Sequence, residues 1–225
     1  MTEKTKVALF DLDHTLLPID SDYAWGTFTS TIGWTDPVEF GRRNDEFYAH
    51  YQAGTLDVHD YVRFATEAAR LRGAAHARAA HERFMIEVIT PAIQPQALAL
   101  VRQHQQAGDQ VAIITATNEF VTRPIADAFG VAELIAVELV RDGKTGWITG
   151  EIHGVPSFRE GKVKRFEEWL AGRHLTWREV EVTFYTDSIN DLPLLDNVDH
   201  PVATNPDKRL RALASQRGWR ILDLF

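Results

Sequence analysis

Cysteine is absent from this sequence of 225 residues. Its absence excludes disulfide bonds, a thiolate nucleophile and cysteine-based zinc or iron–sulfur sites. Long apolar segments are lacking too. The first apolar run covers only residues 7–10, too short for a secretory signal, and no window approaches the roughly 18 uncharged residues of a membrane span. We therefore expect a cytoplasmic protein that has no membrane partner.

Positive charge is also scarce. Lysine and arginine number 24 against 32 aspartate and glutamate residues, which gives a net charge of −8. A nucleic-acid partner needs a basic surface for its phosphate backbone, so we expect none. The sequence also lacks a GxGxxG motif after the first strand, a P-loop and a GxSxG elbow. These absences argue against a dinucleotide site, a P-loop nucleotide site and an α/β-hydrolase nucleophile.

Short apolar runs alternate with helical patterns along most of the chain. The runs predict six strands, at residues 7–10, 111–114, 131–136, 180–185, 201–204 and 219–222. Helical patterns lie among them at residues 96–106, 119–129, 160–170 and 207–217. Strands that alternate with helices form a parallel sheet with helices on both faces. The predicted fold is therefore α/β, with a Rossmann-like doubly wound sheet.

Two segments depart from this alternation. Residues 18–95 contain helical patterns and no convincing strand, and they are too many for one crossover. We predict a helical cap at residues 18–95, inserted into a core of residues 1–17 and 96–225. Residues 136–152 predict a β-hairpin that turns at residues 141–146. Within the cap, His76 and His81 lack a partner at zinc-binding spacing and are predicted to lie on the solvated surface.

Polar side chains follow three of the predicted strands. Asp11 and Asp13 follow the first strand, Thr115 follows the second, and Asp187 follows the fourth. The carboxyl ends of parallel strands share one edge of the sheet, where ligands and catalytic groups collect. Carboxylates from neighbouring strands suit Mg²⁺, and a hydroxyl with Lys162 suits a phosphoryl group. The combination predicts a phosphoryl-transfer site.

These motifs, in this order, resemble the haloacid-dehalogenase superfamily of phosphohydrolases. The residues that carry the resemblance span nearly the whole chain: Asp11-x-Asp13-x-Thr15, Thr115, Lys162 and Asp187-x-x-x-Asp191. An insertion directly after the first motif is similar to the C1-capped members. The opening and the stretch at residues 188–191 look like subfamily IB, which includes phosphoserine phosphatases and bacterial histidinol-phosphatases. Residues 20–26 and 43–48 resemble the histidinol-phosphatase branch more, and Thr115-Ala116-Thr117 departs from the usual Ser-Gly-Gly of phosphoserine phosphatases.

The resemblance implies covalent phosphoryl transfer. Asp11 would attack phosphorus and form an aspartyl-phosphate, and Asp13 would act as general acid and then as general base. Mg²⁺ would be held by Asp11, the backbone carbonyl of Asp13, and Asp187.

Further residues of the motifs would support this reaction. Thr115 and Lys162 would bind the phosphoryl oxygens and balance their charge. Asn190 and Asp191 would orient a metal-bound water or Lys162, and Thr15 completes the first motif.

The resemblance also implies that the cap contacts the leaving group. The candidate residues are Asp20, Asp22, Trp25, Arg43 and Glu46, accompanied by the aromatic side chains of Tyr23, Phe47 and Tyr48. Carboxylates beside aromatic rings suit a cationic, partly flat group. We therefore expect a small phosphorylated metabolite of amino-acid biosynthesis as partner, L-histidinol phosphate first, and a monomer or homodimer.

Three alternatives remain open at this point. Phosphoserine is the second substrate, because Arg42, Arg43 or Arg63 of the cap could bind its carboxylate. A phosphotransferase or phosphomutase would use the same intermediate with an alcohol acceptor. A catalytically silent Mg²⁺- or phosphate-binding module is the third alternative, and the intact Asp11 and Asp13 pair argues against it.

Overall fold

The computed structural model describes residues 4–225, and its centre is a six-stranded parallel sheet in the order β3-β2-β1-β6-β7-β8. The strands are β1 (Thr5–Phe10), β2 (Gln110–Asn118), β3 (Glu133–Val137), β6 (Val180–Thr186), β7 (His200–Thr204) and β8 (Arg220–Leu222). The predicted α/β fold with a parallel sheet is confirmed. The second strand runs beyond its predicted end at residue 114, and the third begins two residues later than residue 131.

Helices cover both faces of the sheet. They are α6 (Pro95–Ala107), α7 (Glu119–Ala128), α8 (Glu160–Ala171), α9 (Leu192–Leu195) and α10 (Lys208–Arg217). One apolar layer packs α6 and α7 onto the sheet, and the other packs α8, α9 and α10. Because both faces are buried, the central strand β1 is apolar at four successive positions from Val7 to Phe10.

Five helices lie between β1 and α6 and form the helical insertion. They are α1 (Ser21–Thr31), α2 (Pro37–Ala53), α3 (Val58–Arg72), α4 (Ala74–Phe84) and, after a π-helical stretch (Met85–Ile89), α5 (Thr90–Ala92). Aspartate side chains accept hydrogen bonds from the first-turn N–H groups of α1, α2 and α3. The predicted boundary near residue 96 falls at the start of α6. The division into a cap and a core domain stays a prediction.

The predicted hairpin is present. Strands β4 (Leu139–Arg141) and β5 (Ile148–Ile152) are antiparallel. The Asp142 side chain accepts hydrogen bonds from the backbone N–H groups of Lys144 and Thr145, which fixes the turn. β5 packs against α3, and Arg63 of α3 pairs with Glu151 of β5 at 3.4 Å. The hairpin thus joins the insertion to the rest of the molecule.

Two hydrogen bonds tie the end of α2 to the core, and we call this pair the α2 latch. Arg159 Nη1 donates to the carbonyl of Gly54 at 2.7 Å, and Asn190 Nδ2 donates to the carbonyl of Tyr51 at 2.9 Å. Gly54 ends α2 in a left-handed conformation with φ of 72°, which suits glycine. The latch therefore binds two carbonyl groups at the C-terminal end of α2, where the Tyr51 carbonyl also accepts from the Gly54 backbone N–H.

His81 corrects one sequence prediction. His76 is exposed as predicted, but His81 is buried, and its Nε2 donates to the carbonyl of Val121 at 3.0 Å. Burial lowers the pKa of His81 to about 4, so the ring is neutral at pH 7. The prediction fails because α4 packs on α7, a contact between distant segments that local spacing does not reveal.

Among residues 4–225, no single helix has the length and apolar composition to cross a membrane. Only a pair bent by 91°, Ala74–Ala92 with Pro95–Ala107, reaches those limits when its two helices are combined.

Candidate active site

The carboxyl ends of β1, β2 and β6 bring the motif residues together. Asp11 follows β1, Thr115 lies near the end of β2, and Asp187 follows β6. Thr15 bridges two of them: its hydroxyl lies 3.4 Å from Asp11 Oδ2 and 3.3 Å from Asp187 Oδ1. It also accepts from the Asp187 backbone N–H at 3.0 Å. The strand ends thus gather two carboxylates around one buried hydroxyl.

Lys162 enters this group from the first turn of α8. Its Nζ lies 2.7 Å from Asp11 Oδ1 and 2.7 Å from Asp191 Oδ2, with all three side chains buried. Thr186 also donates to Asp191 Oδ2, at 2.6 Å. Although burial disfavours its charge, Asp11 and Asp191 hold the pKa of Lys162 above the ordinary value. Lys162 is therefore a fixed cation beside Asp11.

The carboxyls of Asp11 and Asp187 can hold a divalent cation. Burial raises the pKa of Asp11 to about 7, and burial together with Asp11 raises the pKa of Asp187 well above its ordinary range. A cation between them would offset this mutual repulsion, and carboxylate oxygens suit a hard ion. Residues 4–225 contain no cluster of three carboxylate, histidine or cysteine side chains that could hold a metal. A backbone carbonyl or water must therefore complete the ligands.

Asp13 is held apart from that pair. Its Oδ1 accepts from the Ser21 backbone N–H at 2.7 Å, and its Oδ2 accepts from Thr117 Oγ1 at 2.9 Å. Burial, and then the charge of Asp20, raise the pKa of Asp13 to about 6. A carboxyl that titrates near neutral pH can both donate and accept a proton. Asp11 and Asp13 thus have different environments that suit different tasks.

Thr117 is a site residue that the sequence analysis missed. It lies two positions after Thr115 in β2, and both side chains are buried. Residues at i and i+2 of a strand share a face. This alternation was the available signal, but β2 was predicted to end before it.

A cavity opens above Asp11 and Asp13, between the sheet edge and the insertion. Its walls carry carboxyls and aromatic rings, from Asp11, Asp13, Asp20, Asp22, Asp187, Tyr23, Phe47, Tyr48, Tyr51, Tyr61 and Phe158, together with Asn44 and Thr115. Asp20 and Asp22 therefore lie where the sequence analysis expects leaving-group contacts. Burial raises the pKa of Asp20, and burial together with Asp20 raises the pKa of Asp22 to about 8.

Three predicted leaving-group residues do not line this cavity. Trp25 is 1% exposed and packs in the core of the insertion against Phe84. Arg43 lies over the ring of Phe64, with 4.5 Å from its guanidinium carbon to the ring centre. Glu46 is exposed and pairs with Arg42 on the outer face of α2. Their assignment to the leaving group is corrected accordingly, because their helix faces point away from the cavity.

Asn44, Tyr51 and Tyr61 also line the cavity and were not predicted, although a pattern along α2 marks the first two together with the predicted Phe47 and Tyr48. Asn44, Phe47, Tyr48 and Tyr51 recur at helical spacing along α2 and line the cavity together. Tyr61 reaches it from α3. The shared face of α2 marks its residues in the sequence, although a list of carboxylates and aromatic residues alone does not reveal it.

Asn190 and Asp191 differ in what they contact. Asp191 binds Lys162, as the resemblance implies. The amide of Asn190 instead donates to the Tyr51 carbonyl in the α2 latch. The amide nitrogen of Asn190 is thus directed to the insertion, and the orientation of a metal-bound water or Lys162 by Asn190 stays a prediction.

Comparisons with known proteins agree with this arrangement. A family model described as haloacid dehalogenase-like hydrolase matches residues 8–196. The chain is 40% identical over 218 residues to a histidinol-phosphatase of Neisseria meningitidis serogroup C (strain 8013), covering 96% of this chain and 98% of that protein. It is 32% identical over 222 residues to the phosphoserine phosphatase SerB1 of Mycobacterium tuberculosis (strain ATCC 25618 / H37Rv), covering 97% of this chain and 71% of that protein.

A solved structure is similar over the same length. The protein of unknown function from Bordetella pertussis Tohama I is 47% identical in sequence and superposes with a TM-score of 0.92. The alignment covers 99% of this chain and 100% of that chain. These matches confirm the predicted family and enzyme class, and the chain belongs to the haloacid dehalogenase-like hydrolase family.

Proposed function

We propose that the protein is a Mg²⁺-dependent phosphomonoesterase that acts through an aspartyl-phosphate on a small amine-bearing metabolite, with L-histidinol phosphate as the best candidate. The observation that carries this proposal is the acidic, aromatic cavity above Asp11 and Asp13. Among the described residues that line it, none is lysine or arginine. Such a cavity favours a leaving group that is cationic and partly flat.

Asp11 is the nucleophile in this proposal. Its oxygen attacks phosphorus as the ester oxygen leaves, which forms an aspartyl-phosphate that water then hydrolyses. Lys162, 2.7 Å from Asp11 Oδ1, keeps positive charge beside the phosphoryl oxygens, and the hydroxyl of Thr115 can donate to one of them. Asp191 holds Lys162 in place from the other side.

Asp13 transfers the protons. Its carboxyl protonates the departing alkoxide and then removes a proton from the attacking water. A pKa near 6 lets it serve in both directions at neutral pH. Ser21 and Thr117 fix its two oxygens, so the proton is delivered from a defined position.

Asp11 and Asp187, with the Asp13 carbonyl, would hold Mg²⁺. The ion supplies positive charge opposite the phosphoryl oxygens when it is bound. Hard carboxylate oxygens from neighbouring strand ends suit it.

The contacts of the arginines argue against phosphoserine. The carboxylate of that substrate needs a cation, and Arg42, Arg43 and Arg63 were the candidates. Arg42 pairs with Glu39 and Glu46, Arg43 lies over Phe64, and Arg63 pairs with Asp60 and Glu151. The name of the Neisseria relative supports the same ranking, whereas the Mycobacterium relative supports phosphoserine.

A substrate panel tests the proposal. Purified enzyme with Mg²⁺ is assayed by kcat/KM on L-histidinol phosphate, L-phosphoserine, an aryl phosphate and a sugar phosphate. We expect L-histidinol phosphate to exceed phosphoserine by at least about tenfold, or about 1.4 kcal/mol. Equal or reversed values overturn the ranking, and no turnover of any compound would indicate a silent binding module.

Two controls accompany the panel. Asp11→Asn is nearly isosteric and should remove turnover while the fold persists. Product analysis with an added alcohol acceptor separates hydrolysis from phosphotransfer, since a phosphotransferase yields a new phosphate ester.

A further inference from the structure

Asp22 is a buried carboxyl that neither stability nor catalysis explains. It lies in the first turn of α1 and is 5% exposed. The capping bond of α1 is made by Asp20, whose Oδ1 accepts from the Tyr23 N–H at 2.8 Å. Among residues 4–225, no lysine, arginine or histidine forms an ion pair with Asp22. Among the same residues, Asn118 Nδ2 donates to Asp22 Oδ1 over a long 3.4 Å, and the Tyr61 hydroxyl lies within hydrogen-bonding reach of the Asp22 carboxyl.

A buried carboxyl without a cation is costly to the fold. Natural proteins keep such groups where a ligand supplies the partner. Because Asp22 lines the cavity above Asp11 and Asp13, the missing partner can enter with the substrate.

The side chains around Asp22 are planar, and two of them carry polar groups. Tyr61 from α3 lies beside its carboxyl, and Phe47 contacts Tyr61 edge to face, with 5.4 Å between ring centres. Asn44, which is 4% exposed, completes this wall from α2. Two aromatic rings, an amide and a carboxyl form a site for a planar ring that carries an N–H group.

Asp20 and Asp22 serve different ends of the cavity. Asp20 faces the reacting end, where its charge acts on Asp13. Asp22 lies on the side of Tyr61 and Asn118. Two carboxyls with different neighbours in one cavity match a leaving group with two basic nitrogens.

We infer that Asp22, with Tyr61 and Asn44 around it, is the specificity-determining residue that binds a nitrogen-containing aromatic ring, an imidazole, of the leaving group. This inference rests on the proposed function and deepens it.

The proton balance of this contact is simple. Burial raises the pKa of Asp22 to about 8, so the carboxyl carries a proton in the empty cavity at pH 7. A neutral imidazole, with an ordinary pKa of about 6.5, accepts a hydrogen bond from that proton on its ring nitrogen. An imidazolium instead displaces the proton to solvent and pairs with the Asp22 carboxylate. The charge pair forms inside the cavity, where it is shielded from water.

The test compares two substrates that differ only in their ring. L-Histidinol phosphate and L-phenylalaninol phosphate share the amine and the ester, but only the first has ring nitrogens. We expect Asp22→Asn and Asp22→Leu to lower the ratio of their kcat/KM values by at least about tenfold. Glu46→Gln, an exposed carboxyl on the same insertion, should leave the ratio unchanged.

Product inhibition gives a second readout. L-Histidinol should inhibit Asp22→Asn at least about tenfold more weakly than it inhibits wild type, while L-phenylalaninol inhibits both equally. Thermal unfolding confirms that each variant is folded. If Asp22→Leu does not fold, Asp22→Asn still provides the test.

The outcomes separate this inference from the proposed function. Suppose that wild type prefers L-histidinol phosphate and that the Asp22 variants lower kcat/KM for both substrates by the same factor. Asp22 then does not recognise the ring, although the proposed function stands. If wild type does not prefer L-histidinol phosphate over the aryl phosphate, the proposed function fails, and this inference fails with it.

Discussion

Thr117 donates one of the hydrogen bonds that act on the charge state of Asp13. The bond favours the ionised carboxylate, so it lowers the pKa that burial raises. We expect Thr117→Val to raise the pKa of Asp13 and to shift the basic limb of the kcat/KM profile to higher pH. Loss of the bond should also reduce kcat/KM by about tenfold, near 1.4 kcal/mol.

The matched control is Thr117→Ser, which restores the hydroxyl. It should return the pH profile toward that of wild type. If the pH profile of kcat/KM for Thr117→Val has the same limbs as that of wild type, the hydrogen bond does not change the pKa of Asp13.

Asp22 also gives the metal-free protein a pH-dependent stability. Burial and Asp20 raise its pKa from an ordinary value near 3.8 to about 8. Between these values the folded state retains a proton that the unfolded state has released, so stability falls as pH rises. We expect the Tm of Asp22→Asn to fall less than the Tm of wild type as pH rises from about 5 to about 8, measured in chelator.

Glu46→Gln makes the same chemical change on an exposed side chain and should follow wild type. Identical Tm changes in Asp22→Asn and wild type would mean that Asp22 is ionised at pH 5 in the folded state.

At the scale of helices and strands, the α2 latch sets how the insertion rests on the core. Arg159→Ala removes its 2.7 Å bond to Gly54, worth about 1 kcal/mol net. We expect KM to rise by about fivefold, because the cavity wall formed by α2 is held less firmly. Limited proteolysis near residues 54–57 should accelerate, with Arg102→Ala on the exposed face of α6 as control. Equal cleavage rates in the two variants would contradict this role.

Much of the core site was predictable because its signals are local. Asp11, Thr115 and Asp187 each end an apolar run, and parallel strands bring such ends to one edge. Lys162 and Asp191 followed from the order of the motifs. Their actual pairing at 2.7 Å joins residues far apart in sequence, and no local pattern specifies that distance.

The insertion was harder to predict because rotation about a helix axis decides what a side chain reaches. Glu46 and Phe47 are neighbours in sequence, yet one is exposed and the other lines the cavity. Residues 18–95 were predicted to be helical without bounds for α1, whose glycine, threonine and serine residues weaken its intrinsic helical preference. Tertiary burial of Trp25 and Phe28 and the Asp20 cap stabilise it instead.

At the scale of the whole molecule, bound metal should add stability. Mg²⁺ at about 100 times its Kd contributes about 2.7 kcal/mol to a state that binds it. For a chain of this size the Tm should rise by about 5 to 10 °C. We expect this rise in wild type, its reversal by chelator, and its loss in Asp187→Asn.

Asp127→Asn, an exposed carboxyl of α7, serves as control and should keep the full shift. If the Tm of wild type does not change when Mg²⁺ is added, Asp11 and Asp187 do not hold the ion.

The position of β1 at the middle of the sheet affects how the chain folds. Phe10 pairs with Ile113 on one side and with Tyr185 on the other. Because both partners follow the helical insertion in the sequence, the whole insertion is synthesised before either of them. Pairings between such distant residues place a protein among slow folders. During synthesis, the apolar run that precedes Asp11 therefore stays unpaired until β2 has been made. Any apolar surface that binds it before then competes with formation of the catalytic centre.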